Sequence, residues 1–492
     1  MTQRISVLWV GTPPTAKQRE DLTSRELICT QVDMSACLRM WNSARAAVFF
    51  NPTDDDISAL ADHGLRDALD HGLLVRIIVP FDDLRRRVDQ LRHVPLLGNG
   101  WQLLVERNAA TIAESIARHD PGPAQVSRVE LRGVTKFRAA DRVLLQRAFH
   151  DCTYVHLERM LDGTAEVYIA YAKLGDSRVG PFPLPLFVKI DKVARVKQER
   201  DHYGECTTSF IPFYARPNLH LQRCVMGASR GIIVGDFVER SESLLELVKR
   251  GDAQPAINSL FQDALRGWRA QPYHGDGDVT EKMLYKECIS KDVLERKKGM
   301  LAKYSDMASK MGSRLDAVEV VRRLNALPPI RHRRGFTHGD LHCANVRARA
   351  GEAILIDFHS VQPGALSTDP ATLEVSLCME FKAPDAEWIA IMNELYSIEN
   401  LKTVPRPREP MAPLTHLWDA VRQVRRYGLA EQVDETEYCR AVAIQLIRKA
   451  AHGRNEGESV NRRPYLIKLA AAILLALEGQ PSANDDKFLA VS

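Results

Sequence analysis

The chain has 492 residues, of which 45% are hydrophobic, and this length is too great for a single hydrophobic core, so we expect two or three domains. Its 67 lysines and arginines nearly balance its 63 aspartates and glutamates, for a formal net charge of +4. With charges this nearly balanced, the whole protein has no strong electrostatic attraction to nucleic acid or to an anionic membrane, which argues against both as partners. The nine cysteines include no C-x-x-C pair, which indicates neither a disulfide framework nor a zinc site.

The sequence predicts a soluble, cytoplasmic protein. The N-terminal segment MTQRISVLWVG has only a short apolar run and lacks the long apolar region of a signal peptide. The longest apolar segment, Leu469 to Leu477, has nine residues, about half of the roughly 20 that a bilayer requires. We therefore expect it to be a buried helix.

Residues 1–119 alternate between short apolar strands and helices of similar length, which predicts a doubly wound parallel sheet. The segment DPGPAQ then predicts a linker over 120–126. In order and size, the N-terminal unit resembles a flavodoxin-like receiver domain. Receivers carry acidic residues after the first strand and a phosphoacceptor aspartate at the end of the third, but here these positions read Val10-Gly11 and Asn51. We expect a regulatory, non-catalytic module that binds a protein partner, or an unrelated nucleotide- or partner-binding sheet.

The pattern becomes strand-rich over 127–240 and mostly helical over 241–492, which predicts an α+β arrangement of two lobes. The predicted strands are TYVHLERML, AEVYIAYAKL, LPLFVKI, LHLQRCV and GIIVGDFV, and a helix is predicted over KVARVKQERDHYGECTTSF.

Polar side chains concentrate in the loop 335–360. Asp340 and Asn345 lie five residues apart, and Asp357 follows the apolar strand AILI, so a tight loop and a strand end could bring three oxygen ligands together. Mg²⁺ prefers such ligands and is usually held by one or two carboxylates together with substrate phosphates. A carboxylate beside the metal could act as general base toward a hydroxyl.

The same residues resemble the family of aminoglycoside phosphotransferases and related kinase-like enzymes, whose catalytic loop reads H-G-D-x-x-x-x-N and is followed by I-D-F or I-D-W. Here the loop reads HGDLHCAN, from His338 to Asn345, and is followed by Ile356-Asp357-Phe358. The resemblance implies ATP and Mg²⁺ as cofactors, a kinase-like fold, Asp340 as the catalytic base and Asn345 and Asp357 as metal ligands. It further implies that His338 anchors the loop and that His342 supports it.

The same resemblance extends upstream. Lys189 ends an apolar strand, as does the lysine that contacts the α- and β-phosphates, and either Glu199 or Glu205 could be its partner. The segment around GIIVGDFV resembles the hinge that reads an adenine edge, with Asp236 among the candidate nucleotide contacts. Only Gly163 is available where a glycine-rich loop is expected, which departs from the kinase pattern.

Three further features surround the loop. His359 stands where protein kinases have glycine after the metal-binding aspartate. Asp369 and Glu374 are candidates to support the loop, but we favour a purely structural role for both, because Asp369-Pro370 also reads as an N-cap followed by a first helical residue. The basic run at 331–334 could approach a negatively charged substrate, and we favour a solvated segment.

The leading hypothesis is an ATP- and magnesium-dependent phosphotransferase that moves the γ-phosphoryl group to a hydroxyl acceptor of unknown identity. An alternative is a catalytically weak kinase-like scaffold that binds nucleotide and contacts a protein partner through the N-terminal domain. A third possibility transfers AMP instead of phosphate. Acceptor specificity is expected in 253–330 and in the helices from Pro384 onward.

Overall fold

The computed structural model describes residues 6–40, 44–92, 101–105, 111–133, 137–160, 166–175, 184–270, 291–409, 412, 414–451 and 458–479. Two compact units emerge from the contacts within the chain. The first comprises Met1–Asp201 and Asn218–Glu239, and the second comprises His202–Pro217 and Arg240–Ser492.

The first unit begins with a five-stranded sheet whose strand pairs are all parallel, in the order β2-β1-β3-β4-β5. Its elements are β1 (Ser6–Gly11), α1 (Ala16–Thr23), β2 (Ile28–Gln31), α2 (Met34–Met40), β3 (Ala46–Phe50), α3 (Asp54–Ala59), α4 (Leu65–Asp70), β4 (Leu74–Val79), α5 (Leu84–Leu91), β5 (Trp101–Val105) and α6 (Ile112–Arg118). Buried apolar clusters cover both faces of the sheet. This is the strand order of flavodoxin-like doubly wound sheets, and the assignment as a receiver stays a prediction.

A second sheet follows in the same unit, in the order β10-β11-β9-β8-β7-β6, and only the β6–β7 pair is parallel. Its elements are β6 (Glu130–Arg132), α7 (Ala139–Ala148), β7 (Cys152–Met160), β8 (Glu166–Leu174), β9 (Leu186–Lys192), α8 (Val193–His202), β10 (Val225–Met226) and β11 (Arg230–Asp236). The helix α7 packs its apolar side chains against the inward face of the sheet. The sequence pattern had not predicted α7 or β6.

The prediction of a strand over LHLQRCV is wrong. Leu221–Arg223 forms a 3-10 turn, and only Val225 and Met226 pair with β11. The Arg223 guanidinium donates to both carboxylate oxygens of Asp151, at 2.7 and 2.8 Å, and to the Ala148 carbonyl oxygen. These bonds hold the buried arginine against the end of α7 and Asp151, in a tight turn in place of the predicted strand. The helix predicted to start at Lys192 is also shorter than expected, since α8 ends at His202 and continues as a π-helical turn, Tyr203–Thr207.

The second unit is mostly helical and carries two small sheets, β12-β14-β15 and β13-β16. Its elements are β12 (Glu242–Ser243), α9 (Leu244–Arg250), α10 (Ala253–Ser259), α11 (Arg266–Ala270), α12 (Lys291–Lys310), α13 (Ala317–Ala326), β13 (Arg334–Thr337), β14 (Val346–Arg349), β15 (Glu352–Leu355), β16 (Gln362–Ala365), α14 (Thr368–Glu380), α15 (Asp385–Leu395), α16 (Ile398–Leu401), α17 (Thr415–Glu431), α18 (Glu437–Ala451) and α19 (Arg462–Glu478).

A buried ion pair joins the helices of this unit. Arg425 on α17 donates to both carboxylate oxygens of Glu374 on α14, and the Tyr438 hydroxyl of α18 donates to the same carboxylate at 2.8 Å. Glu374 therefore joins three helices, and its side-chain hydrogen bonds go to Arg425 and Tyr438 and not to the catalytic loop, which it had been a candidate to support. The apolar segment from Leu469 to Leu477 lies in α19 and is largely buried. Within the described parts of the chain, no helix is long and apolar enough to cross a membrane.

Candidate active site

The loop between β13 and β14 is held from behind by a buried carboxylate. Asp369 accepts the backbone N–H of His338 at 2.7 Å through Oδ2 and the N–H of Gly339 at 3.1 Å through Oδ1. Gly339 has a φ of +73°, and a Cβ there would lie 2.2 Å from the Ser360 carbonyl oxygen. Only glycine fits this position, because both the backbone conformation and the close approach exclude a side chain.

Asp369 is not the helix N-cap that the sequence suggested. Helix α14 begins at Thr368 with Ser367 as its N-cap residue, so Asp369 lies within the first turn. Its carboxyl group is buried, and this burial raises its pKa, while the N–H groups of His338 and Gly339 and the nearby His338 side chain act to lower it. The structure therefore places Asp369, and not Glu374, against the loop.

The three predicted oxygen ligands all lie in the second unit, on this loop and on the strand end that follows it. The Asn345 side-chain Nδ2 donates to the Asp340 carbonyl oxygen at 2.9 Å, and the Ile356 N–H donates to the Asn345 carbonyl oxygen at 3.1 Å. The first bond closes the loop on itself, and the second ties it to the residue before Asp357. The Asp340 side chain is 41% exposed, so its carboxylate can reach a ligand in solution.

Asp357 has a strained backbone and a histidine two residues after it, His359. Its φ is +66°, in the left-handed region that non-glycine residues rarely adopt. Such strain concentrates at functional positions, where the surrounding structure imposes it. Nδ1 of His359 lies 2.8 Å from Asp357 Oδ1, and the Ser360 hydroxyl lies 2.9 Å from the other ring nitrogen. His359 therefore orients the carboxylate that the sequence assigns to the metal.

The donor set fits a hard divalent cation in its chemistry. Asn345 engages Nδ2 within the loop, which leaves its Oδ1 as the acceptor atom, and two carboxylates stand nearby in sequence and structure. Within the described residues, no group of three or more histidine, cysteine, aspartate or glutamate side chains is placed to hold a metal ion. A cation would thus depend on the Asn345 amide oxygen, the Asp357 carboxylate and phosphate oxygens of a nucleotide, since Mg²⁺ is usually bound through one or two carboxylates together with substrate phosphates.

His338 is fully buried, and its ring nitrogen Nε2 lies 3.0 Å from the Ile356 carbonyl oxygen. The ring also lies against Phe358, with centroids 5.8 Å apart. This geometry favours the anchoring role over direct chemistry. The ring of His342 lies 3.8 Å from Asp340 Oδ2, beyond hydrogen-bond distance, and burial lowers its pKa, which favours the neutral imidazole.

Lys189 and Glu199 form an ion pair in the first unit. Lys189 Nζ lies 2.8 Å from Glu199 Oε2, and the two residues are only 9% and 4% exposed. Lys189 stands in β9 opposite Val167 and Ile233, and Glu199 projects from α8. The sequence had left Glu199 and Glu205 open as partners of the lysine, and the geometry selects Glu199.

Asp236 and Gly163 are the two remaining candidate nucleotide contacts. Asp236 ends β11, and its Oδ1 lies 2.7 Å from Nε2 of His220. The Asp236 N–H donates to the Asn218 carbonyl oxygen at 2.9 Å, and the Phe237 N–H donates to the Pro185 carbonyl oxygen at 3.1 Å. Both N–H groups are therefore engaged within the protein and are not directed to an adenine edge. Gly163 lies outside the described residues.

Two contacts were not predicted, one made by the loop and one by the basic run before it. Cys343 donates its N–H to the Ser376 hydroxyl at 2.9 Å, and Arg333 from the basic run at 331–334 donates to Glu431 at 2.6 Å. Neither has a sequence signal, because a side chain that bonds a distant backbone group or carboxylate leaves no periodicity. The second contact shows that Arg333 has a structural partner, in addition to any role toward a substrate.

Residues 307–471, about a third of the chain, match the family described as Ternary complex associated domain 9. No curated protein matches the sequence. Among solved structures, the chain is similar to an amicoumacin kinase in complex with AMP-PNP and Ca²⁺, at 14% identity over 65% of this chain and 88% of that one, with a TM-score of 0.32.

It is also similar to a thermostable mutant of an aminoglycoside phosphotransferase, at 11% identity over 66% of this chain and 95% of that one, with a TM-score of 0.38. A third is a choline/ethanolamine kinase family protein from Mesorhizobium loti, at 16% identity over 66% of this chain and 88% of that one, with a TM-score of 0.32. All three are kinase-like phosphotransferases.

Proposed function

We propose that the chain is an ATP- and Mg²⁺-dependent phosphotransferase that moves the γ-phosphoryl group of ATP to a hydroxyl acceptor. The observation that carries this proposal is the loop itself, on which an exposed Asp340 stands beside Asn345 and is fixed from behind by Asp369. Phosphoryl transfer is catalysed mainly by positioning and by electrostatic stabilisation, so a rigid loop that presents one accessible carboxylate suits it.

Each residue then has a stated role. Asp340 accepts the proton of the acceptor hydroxyl as its oxygen bonds the γ-phosphorus, while the bond from that phosphorus to the β–γ bridging oxygen breaks and ADP leaves. Asn345 and Asp357 would hold Mg²⁺, which when bound neutralises phosphate charge. Lys189, kept in place by Glu199, contributes a fixed positive charge for the α- and β-phosphates.

We propose that three segments of the chain have separate functions. Residues 127–240 bind the nucleotide, 241–492 supply the catalytic loop and select the acceptor, and 1–119 regulate the protein through a partner. The compact units differ from this division, because the first unit contains both the N-terminal sheet and the sheet that we propose binds the nucleotide.

The test is a search for the acceptor in cell extract with ATP labelled at the γ- or the α-phosphate. We expect a γ-labelled product with the wild type and its loss with Asp340→Ala, while AMP-PNP binding survives. Asp67→Ala, which removes an exposed carboxylate on α4, serves as the matched control and should leave transfer intact.

Other results would redirect the assignment. An α-labelled product would indicate AMP transfer. Nucleotide binding without a labelled product in any fraction would favour the scaffold alternative. Undiminished γ-labelling with Asp340→Ala would refute the role of the loop.

A further inference from the structure

The segment 226–229, a tight turn between β10 and β11, is bound on one side by the N-terminal parallel sheet. Asp70, at the end of α4, accepts the Ala228 N–H through Oδ1 at 2.8 Å. Ala228 is itself buried in the hydrophobic cluster of that sheet, together with Leu69 and Leu73. We refer to residues 226–229 as the 226–229 turn.

Arg147 of α7 fixes the same contact from a second direction. Its Nη1 donates to the carbonyl oxygens of Asp70, at 2.6 Å, and Met226, at 3.0 Å, while Nε and Nη2 donate to those of Pro123 and Pro121. The residue is only 1% exposed. A buried guanidinium must have its donors satisfied, so the carbonyl groups of the N-terminal sheet, the linker and the turn are held around one side chain.

The other side of the 226–229 turn holds the start of α8. The N–H of Val193, the first residue of α8, donates to the Ser229 carbonyl oxygen at 3.0 Å. One turn later, Val196 packs on Gly231 so closely that a Cβ on the glycine would lie 2.8 Å from Val196 Cγ1. Both contacts fix the helix that carries Glu199.

We propose that the 226–229 turn couples the N-terminal sheet to the Lys189–Glu199 ion pair, with Asp70 as a positioning residue for nucleotide binding. The expected effect on nucleotide binding rests on the proposed function, whereas the expected effect on the position of α8 does not. In kinases the lysine and the glutamate must both be in place, and the position of the helix controls the pair. Here the first residue of α8 is hydrogen-bonded to the 226–229 turn, and Asp70 of α4 is hydrogen-bonded to the same turn. A ligand or partner that shifts α4 therefore changes the position of α8 and with it the nucleotide site.

The test compares Asp70→Ala, Asp70→Asn and Asp67→Ala in the full-length protein. Asp67 provides the matched control because it is an exposed aspartate on the same helix, in contact with His71 and not with the turn. We expect Asp70→Ala to speed amide hydrogen exchange in α8 and to weaken AMP-PNP binding in the presence of Mg²⁺, each by about tenfold, the effect of losing one buried hydrogen bond to a carboxylate. Asp70→Asn keeps an oxygen acceptor and should restore both.

Val193→Pro tests the contact between the 226–229 turn and α8. It can replace Asp70→Ala if that variant does not fold. Proline is tolerated at the first residue of a helix and follows an extended residue well, so this change removes the N–H that bonds Ser229 and leaves the helix itself intact. It should weaken AMP-PNP binding to the same extent as Asp70→Ala.

Unchanged exchange in α8 with Asp70→Ala, or an equal effect of Asp67→Ala, would overturn the inference. So would normal AMP-PNP affinity in Val193→Pro. If the wild type does not bind AMP-PNP at all, the proposed function fails, and the exchange measurement still decides whether the turn controls α8.

Discussion

At the scale of single residues, the carboxylate of Asp369 is the clearest case of a side chain that shapes the site without touching a ligand. It accepts two backbone N–H groups, and in Asp369→Asn only one oxygen remains while an NH₂ group faces the second N–H. An unsatisfied buried donor costs about 1–3 kcal/mol. We therefore expect a fall of about that size in the free energy of unfolding, measured with urea, together with loss of phosphoryl transfer.

Asp316→Asn provides the control for that measurement. Asp316 is the N-cap of α13 and accepts the Glu319 N–H through one oxygen, which an asparagine reproduces. Because asparagine and aspartate are similar N-caps, stability should change little. A loss in Asp369→Asn no larger than that in Asp316→Asn would argue that the Asp369 carboxylate does not fix the loop.

At the scale of elements, Glu437 joins the starts of two helices. It is the first residue of α18, and its carboxylate accepts the hydroxyl of Ser367, the N-cap residue of α14, at 2.7 Å and the Val433 N–H at 2.8 Å. Burial raises the pKa of Glu437 from 4.5 to about 7. Because the folded protein holds this proton more tightly than the unfolded chain, its contribution is fully present below about pH 4.5 and is lost as the pH rises to about 7.

The expected loss over that interval is about 3 kcal/mol, since each unit of pKa difference corresponds to about 1.4 kcal/mol. Glu437→Gln has no proton to lose and can make similar hydrogen bonds, so its unfolding free energy should be less dependent on pH over this interval than that of the wild type. Unfolding with urea at several pH values measures the difference. Parallel pH curves for the two proteins would contradict the assignment.

The sequence predicted some elements well and others poorly, for physical reasons. The strands of the parallel sheet are continuous buried apolar runs such as Leu74–Val79, and their alternation with helices identifies the architecture. The loop 335–360 could be read because its residues are close in sequence. Asp369 could be named only as one of two candidates to support the loop, and Arg147 could not be assigned partners, because each binds backbone groups brought near by the fold, and these bonds follow no periodicity.

At the scale of the whole molecule, the residues named in the proposed function are distributed over the two compact units. Lys189 and Glu199 belong to the first unit, whereas Asp340, Asn345 and Asp357 belong to the second. The proposed function assigns the α- and β-phosphates to Lys189 and the metal to Asn345 and Asp357, so each assignment can be tested with its own variant.

The corresponding prediction concerns ligand stabilisation. At 100 times its dissociation constant, AMP-PNP with Mg²⁺ should stabilise the native protein by about 2.7 kcal/mol, which raises the midpoint of thermal unfolding. Lys189→Met in the first unit and Asp357→Asn in the second should each abolish the shift, measured against the same variant without ligand. Asparagine suits the second position because it tolerates the left-handed backbone of Asp357 better than most residues.

Three comparisons complete that experiment. Lys192→Met, which changes an exposed lysine on the same strand as Lys189, should keep the full shift, and so should Asp340→Asn, because the role proposed for Asp340 is toward the acceptor. EDTA should remove the shift in the wild type if the nucleotide is bound through a metal, as proposed. A shift that survives in Lys189→Met would contradict the proposed phosphate contact, and one that survives in Asp357→Asn would contradict the proposed metal ligand.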